Sequence, residues 1–200
     1  VIVIASTLSA SPLKLSKRAL IVIDVQKGFE EFDVKGERNN PACEENIVKL
    51  IDAWREVSFP VVYVKHNSKS ETSVLRPNQP GNDFKDIITG TPDLLVTKSV
   101  NSAFYGTPDL HQWLQDNQIE SVAICGIQTN MCCETTARMS GNLGLDTWFI
   151  LDATHTFAKS FDGVKVSAEE LSQITAVNLS GEFAEILDTE EVISSVRKRK

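Results

Sequence analysis

Cysteine and histidine are scarce in this chain, with four and three copies in 200 residues. Cys43, Cys125, Cys132 and Cys133 are too few to staple a domain of this size, so a reducing, cytoplasmic setting is the default expectation. No Cys-x-x-Cys occurs, and His66, His111 and His155 lie far apart, which leaves no structural zinc motif. Long apolar runs are missing as well: none approaches the roughly 18 residues that cross a bilayer. The apolar opening Val1–Ala5 is too short for a signal-peptide core and has no basic residues before it. Membrane association is therefore not expected. Positive charge is in deficit, with 20 basic against 27 acidic residues, a net −7 and a sequence pI near 5.0. No global field attracts polyanions, and nucleic acid is not expected as a partner. The exception is Arg197–Lys200, four consecutive basic residues that read as a solvated tail, with phosphate contact as the alternative. Repeats, low-complexity stretches and breaks in composition are also lacking. The reading is one domain over residues 18–196, between an N-terminal tail or truncated start, Val1–Lys17, and the basic tail 197–200.

What is present is an alternation. Short apolar, β-branched runs at Ala19–Val25, Val61–Val64, Leu94–Thr97, Ser121–Cys125 and Thr147–Leu151, with a weaker one at Phe183–Leu187, read as buried parallel strands. Helical patterns lie between them. Asn40 and Pro41 predict a cap and first-turn proline before a helix over Ala42–Val57, whose Ile47, Leu50, Ile51 and Trp54 share one face. Thr107 and Pro108 repeat that signal before Asp109–Gln115. A third helix is predicted over Cys132–Leu143. Ser167 with Glu170 predicts a capping box for Ala168–Leu179, and a last helix runs from Glu190 to about Val196. Strand and helix in turn imply an α/β fold with a central parallel sheet covered on both faces. Ligands in such sheets bind beyond the carboxyl ends of the strands. The stretch Asn67–Pro92 exceeds ordinary connection length and reads as a functional or subunit-contact loop, or as a plain surface insertion.

Three strand ends carry chemistry. Asp24 stands at the end of the first strand in ALIVIDVQ, where a carboxylate among apolar neighbours is costly unless paired. Lys98 follows the third, before SVNSAFYG, and needs an anionic partner for the same reason. After the fourth comes CGIQTNMCC, in which Thr129 or Asn130 can cap a helix starting near Cys132. A thiol at a helix N-terminus is expected to have its pKa lowered. Acid, amine and thiol on one sheet edge suggest a nucleophile, a base and an orienting cation. Singly, the same residues can be a loop cap, a snorkelling lysine and a small buried hydrophobe. A papain-like pairing of Cys132 with His155 is open on the same residues.

DVQ with Asp24, KSVNSAF with Lys98, and GIQTNMCCETTAR with Cys132 resemble the three signature segments of the isochorismatase-like cysteine hydrolases. These include nicotinamidases, carbamoylsarcosine amidases and streptothricin hydrolases. The resemblance covers about Arg18–Ile186. It implies an Asp24, Lys98, Cys132 triad in a three-layer Rossmann-like fold with a six-stranded, mainly parallel sheet, usually in homo-oligomers such as dimers or tetramers. It also implies a cis peptide between Ile127 and Gln128, with the N–H groups of Gln128 and Cys132 forming an oxyanion hole. The implied reaction is thiolate attack on an amide, lactam or carbamoyl carbon of a small molecule, with water then releasing the acyl group.

Departures from the family narrow the reading. The isochorismatases that name the family lack the cysteine. Nicotinamidases carry an Asp-x-His pair and a further histidine for a metal, whereas VVYVKHNSKSE has His66 alone. No metal and no cofactor are expected, and the KHNS segment resembles the metal-free branch with streptothricin hydrolases and carbamoylsarcosine amidases. Phe29, His66, Phe104 and Gln128 are the expected pocket residues, His66 bonding either a substrate carbonyl or the backbone. Cys133 reads as a buried neighbour, Asp152 as a structural cap, and His111 and His155 as surface or loop residues. The alternatives are a metal-assisted nicotinamidase-like amidase and a catalytically silent ligand-binding relative.

Overall fold

The computed structural model describes residues 17–33 and 38–198; Val1–Ser16, most of the expected N-terminal tail, and Arg199–Lys200 lie outside the described residues. Six strands form one sheet: β1 (Arg18–Ile23), β2 (Val61–His66), β3 (Leu94–Lys98), β4 (Ser121–Ile127), β5 (Asp146–His155) and, after a hairpin, β8 (Glu185–Leu187). Their order is β3-β2-β1-β4-β5-β8, and all five pairings are parallel. The remaining strands, β6 (Lys159–Phe161) and β7 (Val164–Val166), make a separate antiparallel hairpin that the sequence reading did not anticipate. Its strands are three residues long, and Phe161 and Val164 at its tip stand in solvent, so no apolar run announces it.

The helices are α1 (Glu30–Asp33), α2 (Cys43–Glu56), α3 (Leu110–Asp116), α4 (Glu134–Asn142), α5 (Ala168–Leu179) and α6 (Thr189–Arg197). Successive strand residues face opposite sides, and β1 shows the division. Leu20 and Val22 join Ile47, Leu50 and Trp54 of α2 and Val192 and Val196 of α6 in one core. Ala19, Ile21 and Ile23 join Leu110 and Leu114 of α3, Ala137 of α4 and Leu179 of α5 in the other. The sheet is thus covered on both faces.

Several helix starts differ from expectation. Asn40 does not cap α2; its side-chain amide donates to the carbonyls of Asp152 and Thr154, and its backbone takes the left-handed region at φ 46°. The Thr107–Pro108 bond is cis, and Asp109 caps α3 by accepting from Gln112 N–H. The expected helix from Cys132 is a five-residue π-turn, Thr129–Cys133, followed by α4. Both capping interactions of Ser167 and Glu170 are present, and Asp188 with Glu191 repeats them on α6. Arg197 belongs to α6 and pairs with Glu56 at 2.9 Å, so the basic tail begins later than residue 197.

The chain lays β1, β2 and β3 outward and then returns to place β4 beside β1. This reversal opens a crevice at the carboxyl ends of β1 and β4. β4 approaches β1 closely there: a Cβ on Gly126, at φ +130°, would lie 2.1 Å from the Ile23 carbonyl oxygen. Only glycine fits the position, six residues before Cys132.

Candidate active site

Asp24 is the first residue past β1. Its N–H donates to the Val64 carbonyl at 2.9 Å, and its φ of 52° puts a non-glycine residue in the left-handed region. Such conformations persist where the surroundings enforce them, commonly at functional sites. Lys98 ends β3, two strands away, roughly 9.5 Å of sheet. Its side chain reaches back across β2 to bring Nζ within 2.6 Å of Asp24 Oδ2. Both side chains are closed to solvent, at 0% and 1% exposure. Nζ also lies 3.4 Å from Cys132 Sγ and 3.1 Å from His66 Nδ1. The three sequence-predicted strand-end residues thus converge on one ammonium.

Asp24 uses only half of its carboxylate. Oδ2 receives the lysine, while Oδ1 is buried with no hydrogen-bond partner among the described residues. Burial and then the Asp24 carboxylate push the Cys132 thiol up to about 12, with Lys98 pulling the other way. This corrects the expectation of a thiol acidified by a helix terminus: desolvation and an adjacent negative charge outweigh it. At neutral pH the cysteine therefore rests as a thiol beside a buried carboxylate. Burial alone would lower Lys98, yet the neighbouring Asp24 carboxylate outweighs it and raises the ammonium. His66 is lowered by burial and by Lys98, so its ring is neutral at pH 7. With Nδ1 accepting from the ammonium, its ring proton sits on Nε2.

A cavity of about 310 Å³ opens over Asp24, His66 and Cys132. Phe29, Val74, Leu75 and Met131 give it apolar walls; Asn101 and Gln128 add amides. The backbone of His66 is held by the Gln26 side chain, which accepts from His66 N–H at 2.8 Å and donates to its carbonyl at 3.1 Å. Asn82 fastens the wall by donating to the carbonyls of His66 at 3.0 Å and Leu75 at 2.8 Å. The long 67–92 segment is therefore part of the site. Its Thr72–Leu75 portion, like Asn101 and Met131, was not singled out from sequence, although the loop's length marked the region. The peptide between Ile127 and Gln128 is cis.

Other residues fall elsewhere. Phe104 does not line the cavity; it is buried in the second core with its ring edge-on to His111 at 6.4 Å. His155 is not a surface residue but fully buried on β5, so it is no partner for Cys132. Its Nε2 is 3.7 Å from Glu44, and its ring packs edge-on against Phe157, which stacks on Phe29. Burial, then Arg38, pushes His155 down to about 3. Asp152 accepts from Thr189 N–H and Oγ1 at the start of α6, a structural cap as expected. Cys133 is buried in the second core.

Among the described residues, one trio has donor atoms close enough to share a metal ion: Asp24, His66 and Cys132, within 4.8 Å of one another. Lys98 Nζ is within hydrogen-bonding reach of all three. A metal ion would meet that buried positive charge, so this donor set does not fit a resident metal.

No helix among the described residues is long and apolar enough to cross a membrane. Residues 18–191 match the isochorismatase domain. An uncharacterized isochorismatase family protein of Bacillus subtilis, YrdC, is 42% identical over 184 residues, covering 91% of this chain and 97% of that protein. Nicotinamidase 3 of Arabidopsis thaliana is 33% identical over 193 residues, covering 89% and 88%. The crystal structure of a cysteine hydrolase from Pseudomonas syringae pv. phaseolicola superposes with a TM-score of 0.84 at 25% identity, covering 98% and 100%. The chain belongs to the isochorismatase family of hydrolases.

Proposed function

We propose that this hydrolase cleaves a C–N bond of a small amide, lactam or carbamoyl compound through a thioester on Cys132. The observation that carries the reading is the division of labour on Asp24: one oxygen is held by Lys98 at 2.6 Å while the other is buried without a partner, and the Cys132 thiol lies 3.4 Å from the same ammonium. The partnerless oxygen is the proton acceptor the reaction needs. As Cys132 Sγ attacks the carbonyl carbon, its proton passes to Asp24 and the carbonyl electrons move to oxygen. The N–H groups of Gln128 and Cys132 receive that oxyanion. When the C–N bond breaks, Asp24 returns the proton to the leaving nitrogen; ammonia or an amine departs, or, from a lactam, the freed amine stays tethered to the acyl group. Water then attacks the thioester, gives its proton to Asp24, and releases a carboxylic or carbamic acid while sulfur recovers the proton. Lys98 stays cationic and holds Asp24 in place. His66 lines the cavity, and its Nε2–H is the group that would donate to a substrate acceptor. No step uses a metal or cofactor. The names of two similar proteins, a nicotinamidase and a cysteine hydrolase, agree with this chemistry.

The test is intact-mass analysis of enzyme quenched in acid during turnover of primary amides and lactams. An acyl adduct that maps to Cys132 is expected. Turnover that gives neither an adduct under rapid quench nor, with hydroxylamine present as acyl acceptor, a hydroxamate product would contradict the thioester.

A further inference from the structure

The end of β5 faces two ways. Thr154 and Thr156, two residues apart, turn toward the Gln128–Cys133 turn, while His155 between them turns toward Glu44. Thr154 Oγ1 accepts from Thr129 Oγ1 at 2.9 Å. Thr156, fully buried, places its Oγ1 2.6 Å from Asn130 Oδ1 and 3.3 Å from Gln128 Oε1. Its own backbone is pinned on both sides by Asn39: Thr156 N–H donates to Asn39 Oδ1 at 2.9 Å, and Asn39 N–H donates to the Thr156 carbonyl at 3.2 Å. The one proton of this rigidly held hydroxyl goes to Asn130 Oδ1, the nearer acceptor, with Gln128 Oε1 beside it at 3.3 Å, so the hydroxyl lies between the two amide side chains at positions 128 and 130. In the proposed mechanism position 128 supplies an oxyanion N–H, and the turn through 130 leads to Cys132.

We propose that Thr156 is a positioning residue that fixes the oxyanion hole of Cys132 through Gln128 and Asn130, an assignment that rests on the functional reading above. Its effect falls on steps that form an oxyanion and spares steps that need only the thiol. A displacement of about 1 Å at such donors costs up to about 100-fold in rate.

Two reagents separate these steps. p-Nitrophenyl acetate acylates a cysteine through a tetrahedral oxyanion; iodoacetamide alkylates it by direct displacement at carbon, with no oxyanion. In Thr156→Val, which keeps the shape and loses the hydroxyl, acylation is expected to slow about 10- to 100-fold while alkylation stays within a few-fold of wild type. Thr156→Ser, which keeps the hydroxyl, is expected to restore most of the acylation rate. Equal acylation in Thr156→Val and wild type overturns the proposal, as does a parallel fall of both rates or a serine variant no better than valine. If Cys132→Ala acylates as fast as wild type, the functional reading itself falls, and the role of Thr156 with it.

Discussion

Replacing Lys98 by methionine keeps most of the side-chain volume and removes the charge. What remains is the Asp24 carboxylate, buried beside an apolar sheet edge, with Oδ1 already partnerless and Oδ2 now partnerless too. Stranding one partner of a buried pair costs about 3–5 kcal/mol. For a domain of this size each kcal/mol shifts the unfolding midpoint by about 2–4 °C. Lys98→Met is therefore expected to unfold about 6–20 °C below wild type, measured by thermal denaturation at pH 7. The double variant Lys98→Met, Asp24→Asn removes both charges and is expected to recover a large part of that loss. A single variant within 2 °C of wild type, or a double variant no more stable than Lys98→Met, would refute the reasoning.

Asp24→Asn is expected to lower turnover at least about 1,000-fold, since it removes the general base and acid. The same change withdraws the charge that raises the thiol and leaves Lys98, which lowers it. The pH midpoint of Cys132 alkylation should therefore move down in Asp24→Asn and up in Lys98→Met; coincident midpoints would contradict the electrostatics. His155 stands at about 3 in the folded protein against 6.5 for a free histidine. The unfolded chain binds its proton more readily between those values, so this contribution is full above pH 6.5 and is lost progressively down to pH 3. At pH 4.5 the loss is about 2–3 kcal/mol. Glu44, held down to about 2, adds a loss that begins below 4.5. His155→Gln is expected to flatten the urea-denaturation stability profile between pH 6.5 and 4.5; an unchanged slope would show that the buried imidazole is not its source.

The sheet was legible because its strands are short β-branched runs, and β1 can bury both faces only in a covered parallel sheet. Asp24, Lys98 and Cys132 were legible because each directly follows or soon succeeds such a run, where topology leaves room for ligands. The behaviour of the thiol was not. A local motif shows a helix start, whereas Cys132 is governed by its burial and then by the charge of Asp24, 108 positions away just past β1. Pro108 looked like a helix start because sequence carries the proline and not the isomer of the bond before it. His155 looked exposed because it lies beyond the apolar run of β5, yet the strand continues and presses it toward Glu44, 111 positions earlier. Phe104 belongs to the KSVNSAF segment, but its ring turns into the helix layer rather than the cavity. Thr156 could be noticed only once the alternation at the end of β5 was known.

The most direct test of the account is hydrolysis of a panel of primary amides, ureides, carbamoyl amino acids, lactams and nicotinamide, read as ammonia release or, for the lactams, as release of the ring-opened amino acid, with wild type and Cys132→Ala side by side. Release from at least one compound by wild type and none by Cys132→Ala is the expected result. Equal release by the two proteins would contradict covalent catalysis by Cys132.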